Sequence, residues 1–404
     1  MRREHAAPRL RIEERRGPAA LDELREAWNE LYDRSGRATP FLSHAWAATW
    51  WRHLGKGRTP RLICAWDGRA LAGLLPLAQE RLALLPGVEV RRLAFLGERF
   101  GGADYLDVLA PAGQVARAAQ AIFAHLAESA DFDVLDLDGI DASSPSLPLL
   151  AARFGEDGRF RYVRTPRFTC PQVALDGSWT EVLRRSRRAD NFKRRLKQLR
   201  ALDGFERRVV RDPGEARAAF ERFLALHEAR WAGQGGSDAM GRPAIRDFHR
   251  EVVVRLAEAG WLRFEEVWVE GACRASIYGI DAGDAYCFYQ SGYDPDPAWA
   301  RRSVGLVCLG LSIEDAIGRG VRRYDFLRGT EGYKFDWSTG TRETVAVRVA
   351  ARGIPATLLF AREGAEAAAR AVAHALLPGG AVDLLRRLRR ARERQSAGSG
   401  RAEP

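Results

Sequence analysis

Apolar and polar positions change period several times along this chain, and each change marks an element. After a short apolar segment over 10–13, Leu21, Leu24, Ala27, Trp28 and Leu31 recur at helical spacing. Ser43 stands where it can cap a second helix through Trp46, Trp50 and Trp51. Period-2 and continuous apolar runs then predict strands over 61–66 and 71–79, joined by an Asp67-Gly68 turn, and further strands over 90–96 and 105–109. A helix over 113–127 and a strand over 132–137 complete this run.

After Pro171 the same order returns. Ser178 caps a predicted helix over 179–202. A strand over 205–210, an amphipathic helix over 214–231, a glycine-rich loop over 233–241 and a helix over 244–259 follow. Strands over 262–269, 274–280 and 285–293 are separated by Glu270-Gly271 and Gly283-Asp284 turns. A helix over 303–319 and strands over 322–327 and 343–351 close the run. The repeat lies in pattern, not in residue identity. It predicts an α/β fold with a mixed (α+β) sheet, built as two tandem domains over 10–170 and 171–355 with a boundary near 165–178. A basic tail, 356–404, reads as Ala/Arg helices broken at Pro378-Gly379-Gly380.

Composition narrows the class. An apolar fraction of 46% with eleven tryptophans fits packed cores and excludes a disordered chain. Five cysteines occur without any Cys-x-x-Cys or Cys/His cluster, which points to a reduced, cytoplasmic protein with no metal site. No leader-like apolar run follows the N-terminus, and no unbroken 18-residue apolar stretch occurs. The net charge is +11, carried by 60 Arg and 4 Lys, so a lysine marks a place where a compact ammonium is wanted.

The chemistry concentrates in 286–337. A Tyr-rich strand, Tyr286 to Tyr293, leads through a Pro/Asp loop to Arg301, Arg302, Ser303, Val304 and Gly305 at the start of an apolar helix. Free N–H groups and the positive dipole end make such a turn an anion seat, here read as a diphosphate cradle with Ser303 as helix cap. The plainer reading is an ordinary capped helix with solvated arginines. On the strand, 286, 288 and 290 share one face, while 287, 289, 291 and 293 share the other. Asp325 sits on a predicted central strand between Tyr324 and Phe326, where a carboxylate is costly unless paired or functional. Tyr333 offers a proton to a leaving group, and Lys334 offers a charge. Trp337 reads as a stacking surface or as core. Arg187, Arg188 and Arg194 belong to a stretch, 184–200, with nine basic residues in seventeen; it reads as a polyanion face or as a solvated helix. Phe100, Asp104, Tyr105 and Asp107 read as an acceptor groove or as the surroundings of a Gly101-Gly102 turn.

Tyr324-Asp325-Phe326 after a Gly-ending helix, then Tyr333-Lys334-Phe335, together with the repeated element order, resemble the GNAT acyltransferase superfamily. The closest likeness is to its CelD/BcsL-like branch, related to the tandem-domain Fem transferases. The resemblance implies direct acyl transfer from acetyl-CoA or another acyl-CoA to a small-molecule or saccharide acceptor, with a degenerate or acceptor-binding first domain. It implies catalytic roles for Asp325, Tyr333 and Lys334. Tyr289, Ser291, Tyr293 and 301–305 would hold the donor, and Gln290, Trp337, Arg187, Arg188 and Arg194 the acceptor. A Fem-type reading replaces CoA with aminoacyl-tRNA, favoured by 184–200. A third reading is an inactive polyanion-binding scaffold. Arg386, Arg387, Arg389, Arg390, Arg392 and Arg394, beside Leu384, Leu385 and Leu388, suggest weak contact with a membrane surface. The sequence leaves the oligomeric state open.

Overall fold

The computed structural model describes residues 9–36, 39–98, 101–232 and 240–376, with side chains described as far as 368. Phe100, most of the 233–241 loop, the Pro378-Gly379-Gly380 break and the basic tail cluster lie outside the described residues.

The chain runs β1 (Arg11–Arg16), α1 (Ala19–Glu23), α2 (Arg25–Arg34), α3 (His44–Leu54), β2 (Arg58–Asp67), β3 (Ala70–Leu85), β4 (Val88–Phe95), α4 (Val115–Ser129), β5 (Val134–Asp141), α5 (Ser146–Leu150) and β6 (Phe160–Ala174). It continues through α6 (Trp179–Arg185), α7 (Ala189–Arg200), β7 (Glu206–Val210), α8 (Pro213–Ala232), α9 (Pro243–Glu258), β8 (Leu262–Val269), β9 (Ala272–Ala282) and β10 (Ala285–Tyr293). Last come α10 (Pro297–Arg302), α11 (Val304–Gly318), β11 (Arg323–Asp325), α12 (Gly332–Phe335), β12 (Gly340–Ala351) and α13 (Ile354–Leu376).

The expected mixed α/β architecture is present, and its repeat is concrete. Three antiparallel strands, β2-β3-β4 and β8-β9-β10, form a meander in each half. A 15-residue helix, α4 or α11, then leads to a strand parallel to the last of the three. Glu270 and Gly271 both adopt left-handed backbone, φ 54° and 72°, which gives the β8–β9 hairpin a type I′ turn.

The halves are joined by exchanged strands. The single 12-stranded sheet runs β1-β2-β3-β4-β5-β12-β6-β11-β10-β9-β8-β7. β6 follows β5 in sequence but pairs with β11, and β12 follows β11 but pairs with β5. Position 170/171 therefore falls inside a strand, and each half completes the other's sheet. β6 was not expected, because its polar, half-exposed residues 161–169 carry no apolar alternation. Two further expectations are corrected. Residues 105–109 form no strand, only one bridge from Leu109 to Leu74. The helix expected over 179–202 breaks at 186–188, where Ser186 is extended (ψ 148°) and its Oγ donates to the Leu183 carbonyl.

One core cluster fills a face of the sheet across both halves; Trp46 of α3 meets Phe248 of α9 edge-on at 5.1 Å. A second, on the opposite face, belongs to the second half alone and packs α6, α7 and α11 on β9, β10 and β11. Among the described residues no helix is long and apolar enough to cross a membrane, and no group of His, Cys, Asp and Glu is placed to hold a metal ion.

Candidate active site

The turn between α10 and α11 borders a cavity of about 310 Å³. Its walls come from Ser303, Val304, Gly305 and Leu306 at the start of α11, Phe288 and 291–293 of β10, Ile277 of β9, and Tyr333 and Trp337 from beyond β11. The deeper wall is apolar and the helix end is polar. α11 stands here because its inner face, Val304, Val307, Cys308, Leu311 and Ile313, is buried against the sheet. The parallel pairing of β10 with β11 ends after Cys287 and Asp325, so the two chains part where the cavity begins.

Ser303 does not cap α11 with its side chain. It ends α10 in left-handed backbone, φ 54° and ψ 47°, and makes no side-chain cap bond. That conformation strains a residue with a Cβ, and the first turn of α11, whose N–H groups lack helical partners, borders the cavity. Ser303→Gly is expected to raise stability by up to about 1 kcal/mol, measured as Tm, with donor affinity unchanged.

The expected strand faces are split by a β-bulge. The β9–β10 register shifts between Phe288 and Gln290, leaving Tyr289 as the extra residue. Past the bulge, Ser291 and Tyr293 join Phe288 on the cavity side. Tyr289 is turned to the other face, where its hydroxyl donates to the Gly101 carbonyl and meets His249 Nε2 at 3.2 Å. Burial holds that imidazole neutral, its pKa lowered to about 3. Gln290 pairs with Tyr278 and leaves the cavity with it. Tyr289 and Gln290 are therefore corrected as donor and acceptor contacts.

Arg301 is exposed and borders no part of the cavity. Arg302 donates to the Ala298 carbonyl at 2.9 Å and lies over the Trp299 ring at 5.2 Å, so its charge serves α10. Arg230, at the end of α8, lines the cavity instead. Its guanidinium lies 4.7 Å from the Tyr293 ring and 3.4 Å from Ser291 Oγ, with no carboxylate partner among the described contacts. Nothing in sequence marks Arg230 among so many arginines; its place at the cavity comes from where α8 ends. Arg188 also lines the cavity but is bound to Asp336, Nε to Oδ2 at 2.6 Å. Arg187 is exposed, and Arg194 donates to Asn191 Oδ1 at 3.1 Å, itself a cavity residue.

Of the three expected catalytic groups, Tyr333 alone lines the cavity. Burial raises its pKa, so the phenol keeps its proton and can donate it. Lys334 is buried and absent from the cavity wall. Its ammonium donates to the Arg328 carbonyl at 2.8 Å and pairs with Glu331 at 3.0 Å. Asp325 lies on the opposite face of the sheet, 1% exposed. Tyr105 Oη (3.0 Å), Gln172 Nε2 (2.7 Å) and the Leu327 N–H (2.8 Å) donate to its oxygens. Burial pushes the carboxyl up to about 6, opposed by the Leu327 N–H and the Arg342 charge. Asp325, expected to be catalytic, is therefore enclosed by these donors on the face away from the cavity. Trp337 lines the cavity yet is 3% exposed and stacked on Trp179 at 6.3 Å, so it is wall more than platform.

A family model described as an acetyltransferase (GNAT) domain matches residues 185–335. No curated protein matches the sequence. Among solved structures, FemX is similar at 12% identity and a TM-score of 0.55, over 79% of this chain and 95% of its own. L-PGS from Bacillus licheniformis is similar at 12% identity and 0.48, over 83% of this chain and 94% of its own. A tandem GNAT protein from the clavulanic acid biosynthesis pathway is similar at 14% identity and 0.45, over 85% and 99%. The likeness to FemX is one of fold.

Proposed function

We propose that this chain, an acyltransferase with a GNAT domain over 185–335, takes an acyl thioester of coenzyme A as donor and transfers the acyl group directly to an amine or hydroxyl. The observation that carries the proposal is the N-terminus of α11 bordering the cavity beside Arg230, which has no carboxylate partner among the described residues. Unpaired N–H groups and a nearby guanidinium suit a diphosphate, and the apolar wall of Phe288, Ile277 and Trp337 suits the arm behind it. In the reaction the acceptor's lone pair attacks the thioester carbonyl and the C–S bond breaks. The departing sulfur takes a proton from Tyr333, and the acceptor's proton returns to solvent or to the phenolate. Asp325 and Lys334 support this site without entering it. A saccharide is the acceptor class suggested by the CelD/BcsL-like resemblance, and the unclustered cysteines suggest a cytoplasmic setting.

Calorimetric titration with coenzyme A and acetyl-CoA tests the donor. Saturable binding is expected; heat from neither would exclude the reading. A Cβ at Gly305 would sit 3.1 Å from Tyr293 Cδ1, so this glycine lets the ring and the helix start share one mouth. Gly305→Val is expected to destabilise by about 1–3 kcal/mol and to abolish coenzyme A binding while the chain stays folded.

A second reading is favoured by α7. Arg187, Lys193, Arg194, Lys197 and Arg200 are exposed on a segment whose Arg188 and Asn191 reach the cavity. A polyanion laid along this face could end in the cavity, as an aminoacyl-tRNA donor would. Steeply salt-dependent tRNA binding, with coenzyme A failing to compete, would favour it.

A further inference from the structure

The second half's catalytic loop is weakly built by itself. β11 has three residues and α12 four, and between them Leu327 takes left-handed backbone at φ 54°. A short segment of the first half, Gly101–Tyr105, makes polar contacts to this loop and to the neighbouring β10. The Gly101 carbonyl accepts from Tyr289 Oη on β10. Asp104, 1% exposed, accepts from Arg328 Nε at 2.7 Å and from the Arg328 backbone N–H at 3.2 Å, while the Ala103 carbonyl accepts from the same guanidinium. Tyr105, itself left-handed at φ 57°, donates to Asp325, which in turn accepts from Leu327 N–H.

These contacts converge on the cavity wall. Arg328 is held through its N–H by Asp104, and its carbonyl accepts from Lys334, the residue after Tyr333. A side chain carrying a chemical step must be fixed in position, and strained backbone persists only where its surroundings over-determine it. Two strained residues, Tyr105 and Leu327, share the Asp325 carboxylate.

We infer that Gly101–Tyr105 is a strap from the first half that positions the Tyr333 loop of the second, with Asp104 as its principal positioning residue. The first half then serves the donor cavity of the second as a built-in scaffold. Lys334 is the final link; Gly329 beside it leaves room for the ammonium, since a Cβ there would lie 2.7 Å from Nζ. The inference concerns the donor site proposed above, and its structural part is measurable without any donor.

The test uses the full chain and Asp104→Asn. Hydrogen exchange over 328–337 is expected to speed up by about tenfold or more, with β2 and β3 unchanged. In protein labelled with 3-fluorotyrosine, the 19F resonance lost in Tyr333→Phe is expected to shift and broaden. Acetyl-CoA affinity is expected to fall by about tenfold. If Asp104→Asn does not fold, the pair Asp104→Asn/Arg328→Gln, which leaves no unpaired buried charge, carries the same expectations. Unchanged exchange with an unmoved Tyr333 resonance overturns the strap. A loosened loop with unaltered acetyl-CoA affinity overturns its link to the cavity. Absence of acetyl-CoA binding in the wild type overturns the donor reading instead, and the exchange and resonance data still decide on the strap.

Discussion

Arg230→Gln is expected to weaken coenzyme A binding about ten- to hundredfold, the value of a charge-assisted hydrogen-bond pair of about 1.5–3 kcal/mol. The reasoning rests on what surrounds the guanidinium. Its described neighbours are the Tyr293 and Trp231 rings, at 4.7 and 5.2 Å, and the Ser291 hydroxyl. No carboxylate among them competes for the charge. Arg188, bound to Asp336, is already neutralised, so Arg188→Gln is expected to have the smaller effect. The fold should tolerate Arg230→Gln, because a part-exposed cation–π contact contributes about 0.5–1 kcal/mol. Arg230→Lys should recover only part of the affinity, since an ammonium keeps the charge but loses the planar fork. Calorimetry on the three variants checks this order. An Arg230→Gln variant with wild-type affinity would move the diphosphate elsewhere.

Asp325→Ala is expected to cost about 3 kcal/mol or more of stability, because it strands several buried donors at once. Tyr105 Oη, Gln172 Nε2 and the Leu327 N–H all lose their acceptor. Asp325→Asn keeps the shape and removes the titration, which isolates the pH dependence. The folded-state value, about 6, lies above the ordinary 3.8. The native protein therefore binds this proton more tightly than the unfolded chain does. Its contribution to stability is present in full below the unfolded value and is lost as pH rises through the folded one. Between pH 5 and 7.5 the wild type should lose about 1 kcal/mol relative to Asp325→Asn. Denaturant melts of both proteins at several pH values measure it. A difference that stays constant across that window would mean that the carboxylate does not titrate there.

Much of the fold was legible because it is local. The meanders showed in apolar periodicity and in turn residues such as Glu270-Gly271, whose left-handed backbone is a short-range property. The cavity-bordering turn at 303–305 showed as a polar turn before an apolar helix, and Tyr333 and Trp337 showed as aromatics beyond a short strand. Face assignment failed at Tyr289, because a bulge adds one residue and reverses every side chain after it. The same slip brought Ser291 and Tyr293 to the cavity. Asp325 was correctly singled out as a carboxylate on an interior strand, but its partners Tyr105 and Gln172 stand 220 and 153 positions away. Lys334 stood out by the scarcity of lysine. Its ammonium donates to the Arg328 carbonyl within the same loop and lines no part of the cavity.

Sequence alone determined most element types, the repeated order and the polar turn that opens α11, since backbone propensity, side-chain period and turn chemistry act over a few residues. Tertiary structure decided which arginines border the cavity, which face each β10 residue takes, and how β6 and β12 cross over to bind the halves. It also decided that Asp104 and Tyr105 reach Arg328 and Asp325. Those outcomes depend on register and on packing between distant segments, where the free energy of a contact is set by its neighbours in space and leaves no periodic trace along the chain.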